Sequence, residues 1–501
     1  MELIGRVVRQ LLVFVFLTPV LFAWPGETAH AQGLPPYSTV AQQMGAPGPT
    51  GLITLPGLND AQQTMAQSIN NVCPTINTIA LTADQKQLAQ VCAAMTGTAV
   101  QLQGQANPLA LPSYGISTDQ LNSALYSLNG GAEVVVPTSQ SSSLQTQQSN
   151  MLGGVVEARL SALRNPAIAT DWAALQQKSQ FAQATTPWAS DATAPSYHPA
   201  PVTGTYQSGR FGMYVNGLGQ FGDRSASSRQ NGFSFNNTGV IAGADYLLTP
   251  QFAAGAAFSY THNNTDFEVS AISPAGQSIR SDLYQGTIYA TYSLTDQFYV
   301  DGNVMFGGGN ADSTRHIVIP SNNPTVPGID DFATGSSGLW NDSINIGAGY
   351  VMPFGPLTLT PTARFQYLHV SADGFTETGA GGVNLTYGGD HHSAYLSFLG
   401  GQAQYALPTS LGVVYPTARF EWAHQYNSAN AVVSVAYTND PLLLSSFVLP
   451  ADKVDHDYFD IGVGLAMQLS PTQSAFVTYD AILGLRNTTY NSFIAGVRVV
   501  F

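Results

Sequence analysis

Charge is what this 501-residue chain has least of: Asp, Glu, Lys and Arg together make up 9% of it, against about a quarter in an ordinary soluble domain. The 16 basic residues are outnumbered by 30 acidic ones, for a net charge of −14. Nucleic acid is therefore excluded as a partner, because phosphate contacts need clustered Lys and Arg. Cysteine is nearly absent, with only Cys73 and Cys92. Two lone thiols make a poor metal site but a reasonable disulfide, which in an oxidising compartment would close a loop worth about 3 kcal/mol. Long apolar runs are missing too. After residue 24 nothing approaches the roughly 18 unbroken apolar residues of a spanning helix.

Yet mean hydropathy is only +0.03, because the missing charge is replaced by Ser, Thr, Asn, Gln and 49 glycines and not by grease. Aromatics reach 10%. Few charges, many small polar residues and frequent Tyr and Phe fit a transmembrane β-barrel; a secreted β-rich adhesin shares that composition.

The first residues read as an export signal over 1–31: Arg6 and Arg9 precede the apolar run from Leu11 to Trp24, and Ala29-His30-Ala31 supplies a small-residue cleavage pattern before Gln32. Residues 32–143 then form a short, largely helical region. Apolar positions recur at three and four through Ala61, Met65, Ile69, Val72 and Ile76, and again through Leu88, Val91, Cys92, Met95, Ala99 and Leu102. Thr82 and Gln85 make a capping box ahead of the second run. The two helices are expected to form a hairpin stapled by Cys73 and Cys92. A third helix opens at Ser117, carries Leu121, Leu125 and Leu128, and stops at Gly130-Gly131. Residues 144–164 are helical again, with Val155, Val156, Leu160 and Leu163 on one face, and 165–205 form a polar, proline-punctuated linker.

From Arg210 the period changes from 3.6 to 2 and stays there. About twelve strands are expected, centred near Val215, Ala242, Ala256, Ile288, Val304, Ile346, Ala363, Leu399, Ala418, Val463, Tyr479 and Val497. Tight turns at 248–251, 294–297, 352–356, 408–411 and 470–473 alternate with long loops at 225–233, 270–278, 317–338, 376–390 and 429–455, the pattern of a barrel with short turns on one rim and long loops on the other. The fold class is thus an all-β transmembrane barrel of antiparallel strands over 206–501, preceded by a short α-helical region. Parity assigns the charges. Asp245, Asp301, Arg364, Arg419, Glu421, Asp460, Asp480 and Arg498 fall on the less apolar side of their strands and are expected in the lumen, where lipid does not penalise them. The last strand, Tyr490 to Phe501, puts Phe493, Ala495, Val497, Val499 and Phe501 on one face and ends flush on an aromatic ring. A soluble sheet blunts such an edge; a closed barrel pairs it with the first strand.

Chemistry is sparse. No Gly-x-Ser-x-Gly elbow occurs in 33–205, where His198 is the sole histidine. Gly307-Gly308-Gly309 precedes no helix and is no phosphate cradle. Asp330-Asp331, Asp390-His391-His392 and Asp455-His456-Asp457 lie in the long loops, where acid–His pairs could activate water. Solvated loop charge is the better account of them, because general-base work needs a geometry that spacing does not show, so no catalytic, cofactor-binding or metal residue is assigned and the chain is read as a non-enzyme.

Several stretches together, TDQLNSALYSLNGGAE at 118–133, VVEARLSALR at 155–164, RFGMYVNGLGQFGDR at 210–224, PTARFQYLHVSADGFTETGAGGVNL at 361–385, LGVVYPTARFEWAH at 411–424 and the terminal strand, resemble the autotransporters of type V secretion. The resemblance implies a twelve-stranded outer-membrane barrel with a helix in its lumen, here carrying Glu157, Arg159 and Arg164. It also implies insertion by the outer-membrane assembly machinery, which would read Phe501. The barrel would export its own N-terminal segment for display, with outer-membrane lipid and a host or neighbouring-cell surface as partners; a diffusion pore with a helical plug or a periplasmic appendage is the alternative. The chain departs from the family in its short helical passenger, which shows no repeat of 20–50 residues, and in lacking an Asn-Asn step within 151–164.

Overall fold

The computed structural model describes residues 51–76, 81–107, 110–129, 210–227, 231–270, 273–410, 412–426, 432–440, 446–450, 455–470 and 472–501. The expected export signal at 1–31, the candidate pore helix at 144–164 with Glu157, Arg159 and Arg164, and the linker at 165–205 lie outside the described residues.

Twelve strands make the wall: β1 Phe211–Arg224, β2 Phe233–Thr249, β3 Phe252–Phe267, β4 Ser278–Ser293, β5 Phe298–Ile319, β6 Ile329–Tyr350, β7 Leu357–Ala372, β8 Asp390–Tyr405, β9 Gly412–Gln425, β10 Asp457–Ser470, β11 Gln473–Leu483 and β12 Tyr490–Val500. Each pairs antiparallel with its sequence neighbours, and β1 pairs with β12, Val215 opposite Val497, so the sheet closes on itself. Closure removes the free edges that lipid could not satisfy. All twelve expected centres fall on twelve different strands. Phe501 donates its backbone N–H to the carbonyl of Phe211 at 2.8 Å, so both ends of the wall sit together on the tight-turn rim.

Side chains follow the period of two. Ile288 and Val497, each 59% exposed, point out of the cylinder, as do Val215, Phe365, Leu399 and Phe493. Tyr246, Tyr292, Tyr350 and Tyr405 form an outward belt near the turn rim; Tyr284, Trp340, Tyr395 and Tyr426 form another towards the loop rim. From Tyr284 to Tyr292 a tilted strand climbs about 20 Å, close to the height of the apolar band of an outer-membrane barrel. These belts are where amphipathic rings meet headgroups.

The loop rim departs from the expected bare connections. The segment 317–338, read as loop, is mostly strand: β5 and β6 are 22 residues each and stand beyond the upper aromatic belt as a tall hairpin, paired from Ile319–Ile329 downwards. The stretches read as loops at 376–390 and 429–455 contribute Phe375–Thr376, Leu385–Tyr387, Val432–Tyr437 and Phe447–Pro450 to a second, four-stranded sheet on the rim. Membrane-length reasoning missed both because these strands serve a water-side core and need not match a bilayer.

That core is supplied by three helices, α1 Asp60–Ile76, α2 Ala83–Leu102 and α3 Thr118–Asn129. The capping box is present: Gln85 N–H donates to Thr82 Oγ1, and the Thr82 N–H donates to Gln85 Oε1. Met65, Ile69 and Val72 of α1 and Leu88, Val91 and Met95 of α2 are buried as their spacing predicts; Leu102, at the last turn of α2, is exposed instead. Gly97 is required where it stands, since a Cβ there would lie 2.0 Å from the Pro112 carbonyl. Helix α3 is buried almost all round, between the other two helices and β5.

Candidate functional site: the lumen and the loaded rim

Inside the wall the expected lumen residues are turned inward, and several converge. Arg419 on β9 reaches Asp460 on β10 at 3.0 Å, Asp480 on β11 at 2.8 Å and Glu421 at 3.4 Å. Glu421 also meets Arg364 of β7 at 3.3 Å, and the Arg364 guanidinium lies 3.8 Å over the Phe398 ring. Register explains the gathering: Glu421 sits opposite Asp460, and Gly462 sits opposite both Arg419 and Asp480. A Cβ on Gly462 would be 2.2 Å from the Asp480 carboxylate, so glycine leaves room for the acid to lie across its neighbour. Arg498 and Asp245 form a looser pair at 3.9 Å elsewhere in the lumen. Asp301 is inward and shielded, beside Gly347, but is not part of the Arg419 cluster. Gln366, Asn345 and Ser343 lie in the same polar interior, and both amide atoms of Gln366 lack a hydrogen-bond partner among the described residues. This interior suits water or a polar chain and rejects lipid.

The rim stretches that could have formed an acid–His centre do not come together. His316 takes Asp330 at 2.7 Å. Asp390 accepts from the His391 N–H, and His392 is buried on the inward side. Asp455 pairs with Arg486, while Asp457 holds His424 at 2.8 Å and Trp422 Nε1 at 3.1 Å. Asp330, Asp390, Asp455 and Asp457 are each engaged by a near neighbour on their own part of the rim.

What the residues alone did not announce is the node under the helices. Arg315, 1% exposed, extends from β5 above the upper aromatic belt. Its Nε and Nη2 donate to the two oxygens of Glu377 at 2.9 and 2.5 Å, Nη2 also to the Val383 carbonyl at 3.0 Å, and Nη1 to the Ser127 carbonyl at 2.9 Å. Glu377, 2% exposed, further accepts the Leu385 N–H at 2.8 Å and the Tyr387 hydroxyl. Burial works to lower the Arg315 pKa, but the adjoining carboxylate outweighs it and holds the guanidinium above its ordinary value. Burial likewise raises the phenol of Tyr437, whose hydroxyl contacts Met65 of α1 at 3.2 Å. One signal was available: Arg315 shares its parity with Ile317 and Ile319, a charge inside an apolar alternation.

A closed twelve-stranded antiparallel cylinder, greasy outside, ionic inside and girdled by aromatics, defines the class: a bacterial outer-membrane β-barrel in contact with membrane lipid. The family model described as Autotransporter beta-domain matches residues 213–480, and the chain belongs to that family. Relatives include outer membrane protein A of Rickettsia rickettsii, 22% identical over 279 residues that cover 55% of this chain and 12% of the relative. The corresponding protein of Rickettsia conorii is 21% identical, with 55% and 13% covered. The chain thus spans about an eighth of the length of these relatives. Among solved structures, the translocator domain of autotransporter NalP from Neisseria meningitidis is similar with a TM-score of 0.45 at 14% identity, covering 58% of this chain and 88% of that one. The beta domain of the Bordetella autotransporter BrkA gives 0.39 at 17%, with 59% and 100% covered.

Proposed function

We propose that this barrel carries its own helical segment to the cell surface and displays it there. One observation supports the reading above the rest. Asn129, the last described residue of the helices, is at the loop rim, hydrogen-bonded to the Ala61 carbonyl, whereas the wall begins at Phe211 on the turn rim. On this reading the polar lumen is the route by which the chain passes from the loop rim to the turn rim. Short turns face the periplasm in outer-membrane barrels, which puts the helices outside.

On this reading residues 144–164 form the pore helix in the lumen, carrying Glu157, Arg159 and Arg164. Residues 1–31 serve as the export signal, and Phe501 is read by the assembly machinery. Cys73 pairs with Cys92, for which the support is that Cys92 is buried in the helical core and is not a free thiol. The displayed helices would meet a host or neighbouring-cell surface, and the chain performs no catalysis. The test is an epitope inserted after Gln105, an exposed residue between α2 and α3. Antibody should bind intact cells, and binding should be lost when 144–164 are deleted. An epitope reached only after the outer membrane is permeabilised contradicts export.

A diffusion pore is the second reading, favoured by the unpartnered amide of Gln366 and its neighbours in a polar lumen. Conductance in a planar bilayer that stays negligible until 144–164 are removed would reject an open pore.

A further inference from the structure

The helices do not merely sit near the barrel; they share a hydrophobic core with it. Leu52, Met65, Ile69, Leu88, Met95, Leu121, Leu125 and Leu128 pack in one cluster with Ile317, Ile319, Ile329, Val383, Leu385, Val435 and Phe447 of the rim. Without α1–α3 those rim side chains would face water. The polar contacts are equally mixed. Gly382 N–H donates to Gln87 of α2 at 2.9 Å, Asn322 N–H to the Tyr114 carbonyl at 2.8 Å, and Asn323 Nδ2 to the Ser113 carbonyl at 2.9 Å. Ser127 Oγ lies within 3.3 Å of both backbone groups of Val318.

Three partners meet at Arg315: the β5 extension that bears it, the 377–387 segment through Glu377 and Val383, and the C-terminal turn of α3 through the Ser127 carbonyl. A cation at a helix C-terminus is electrostatically favourable, and a planar fork can serve a carboxylate and a carbonyl at once, as an ammonium cannot. A buried ion pair contributes little net stability against apolar alternatives, but removing one partner strands the other in a dry site and is costly. Such a group suits the role of fixing one docked arrangement.

We propose that α1–α3 form a resident lid on the outer rim, and that Arg315 and Glu377 are the latch that holds it. The segment stays docked on the barrel that delivered it and is not a free or released passenger. The location outside the cell rests on the export reading; the latch does not.

The experiment treats cells expressing the full untagged chain with proteinase K, both intact and after permeabilisation, and follows the α1–α3 fragment, with an antibody raised against it, alongside the heat-modifiable barrel band. The wild-type fragment should persist. Arg315→Ala should speed its loss roughly 100-fold or more while the folded barrel band remains, since cleavage follows the population of the undocked state. Arg315→Lys should fall between the two. Loss at the wild-type rate in Arg315→Ala, or a wild-type α1–α3 fragment removed as fast as the variant's, overturns the latch. Should Arg315→Ala fail to assemble a barrel, Glu377→Gln, which keeps the shape and removes the charge, takes its place; about tenfold faster loss is expected, and an unchanged rate overturns the proposal. A latch-dependent rate seen only in permeabilised cells rejects export and leaves the latch standing.

Discussion

The membrane-level wall and the helical lid are built on opposite rules. In the wall, large apolar side chains such as Ile288 and Val497 face outward and the ions face in; backbone hydrogen bonding and closure hold it, because lipid offers no reward for gathering apolar groups inside. In the lid, Met65, Ile69 and Leu125 are wholly inside and water supplies the driving force. The boundary runs through single strands. Below the upper aromatic belt β5 and β6 turn apolar residues such as Val304 and Ile346 to lipid, and above it they turn Ile317, Ile319 and Ile329 into a shared core. The same parity of β5 and β6 is buried from end to end; what fills that side, polar groups at membrane level and a hydrophobic core above it, is set by the solvent outside.

Substitutions that respect one rule and violate the other sharpen this contrast. The largest effect is expected from Met65→Ala, which opens a cavity in the lid at a cost of about 2–5 kcal/mol; proteolysis of the helices should accelerate while the barrel band is unchanged. Ile288→Arg should cost about 2–4 kcal/mol in the wall, seen as a lower urea midpoint for barrel folding into vesicles, although that position is exposed. Glu421→Gln removes the acid between Arg364 and Arg419 and should lower the same midpoint by about 1–3 kcal/mol, with lid proteolysis untouched. Thr82→Ala, which removes half the capping box, should cost about 1 kcal/mol, detectable only in the lid. A wall midpoint that moves with Met65→Ala would break the comparison.

The wall was legible in the sequence because period two needs no knowledge of distant residues. Parity alone turned Arg364, Arg419, Glu421, Asp460, Asp480 and Arg498 inward, and the terminal aromatic face announced a paired edge. The helices were legible from spacing and from the Thr82–Gln85 box. The junction was not. Arg315 and Glu377 lie 62 residues apart, the first just before the stretch 317–338 and the second within the stretch 376–390, both read as loops, and the α3 carbonyl that Arg315 reaches belongs to Ser127, 188 residues before it. A contact assembled from three remote segments leaves no periodic trace, and only the odd placement of Arg315 within an apolar alternation hinted at it.

Sidedness is the direct test. With Gln105→Cys on the lid and Gln251→Cys on the β2–β3 turn, both exposed positions, a membrane-impermeant maleimide is applied to intact and to permeabilised cells. Labelling of the first variant in intact cells, and of the second only after permeabilisation, is the expected result. Labelling of both in intact cells, or of neither, would place lid and turns on the same side of the membrane and contradict a chain that threads its own barrel.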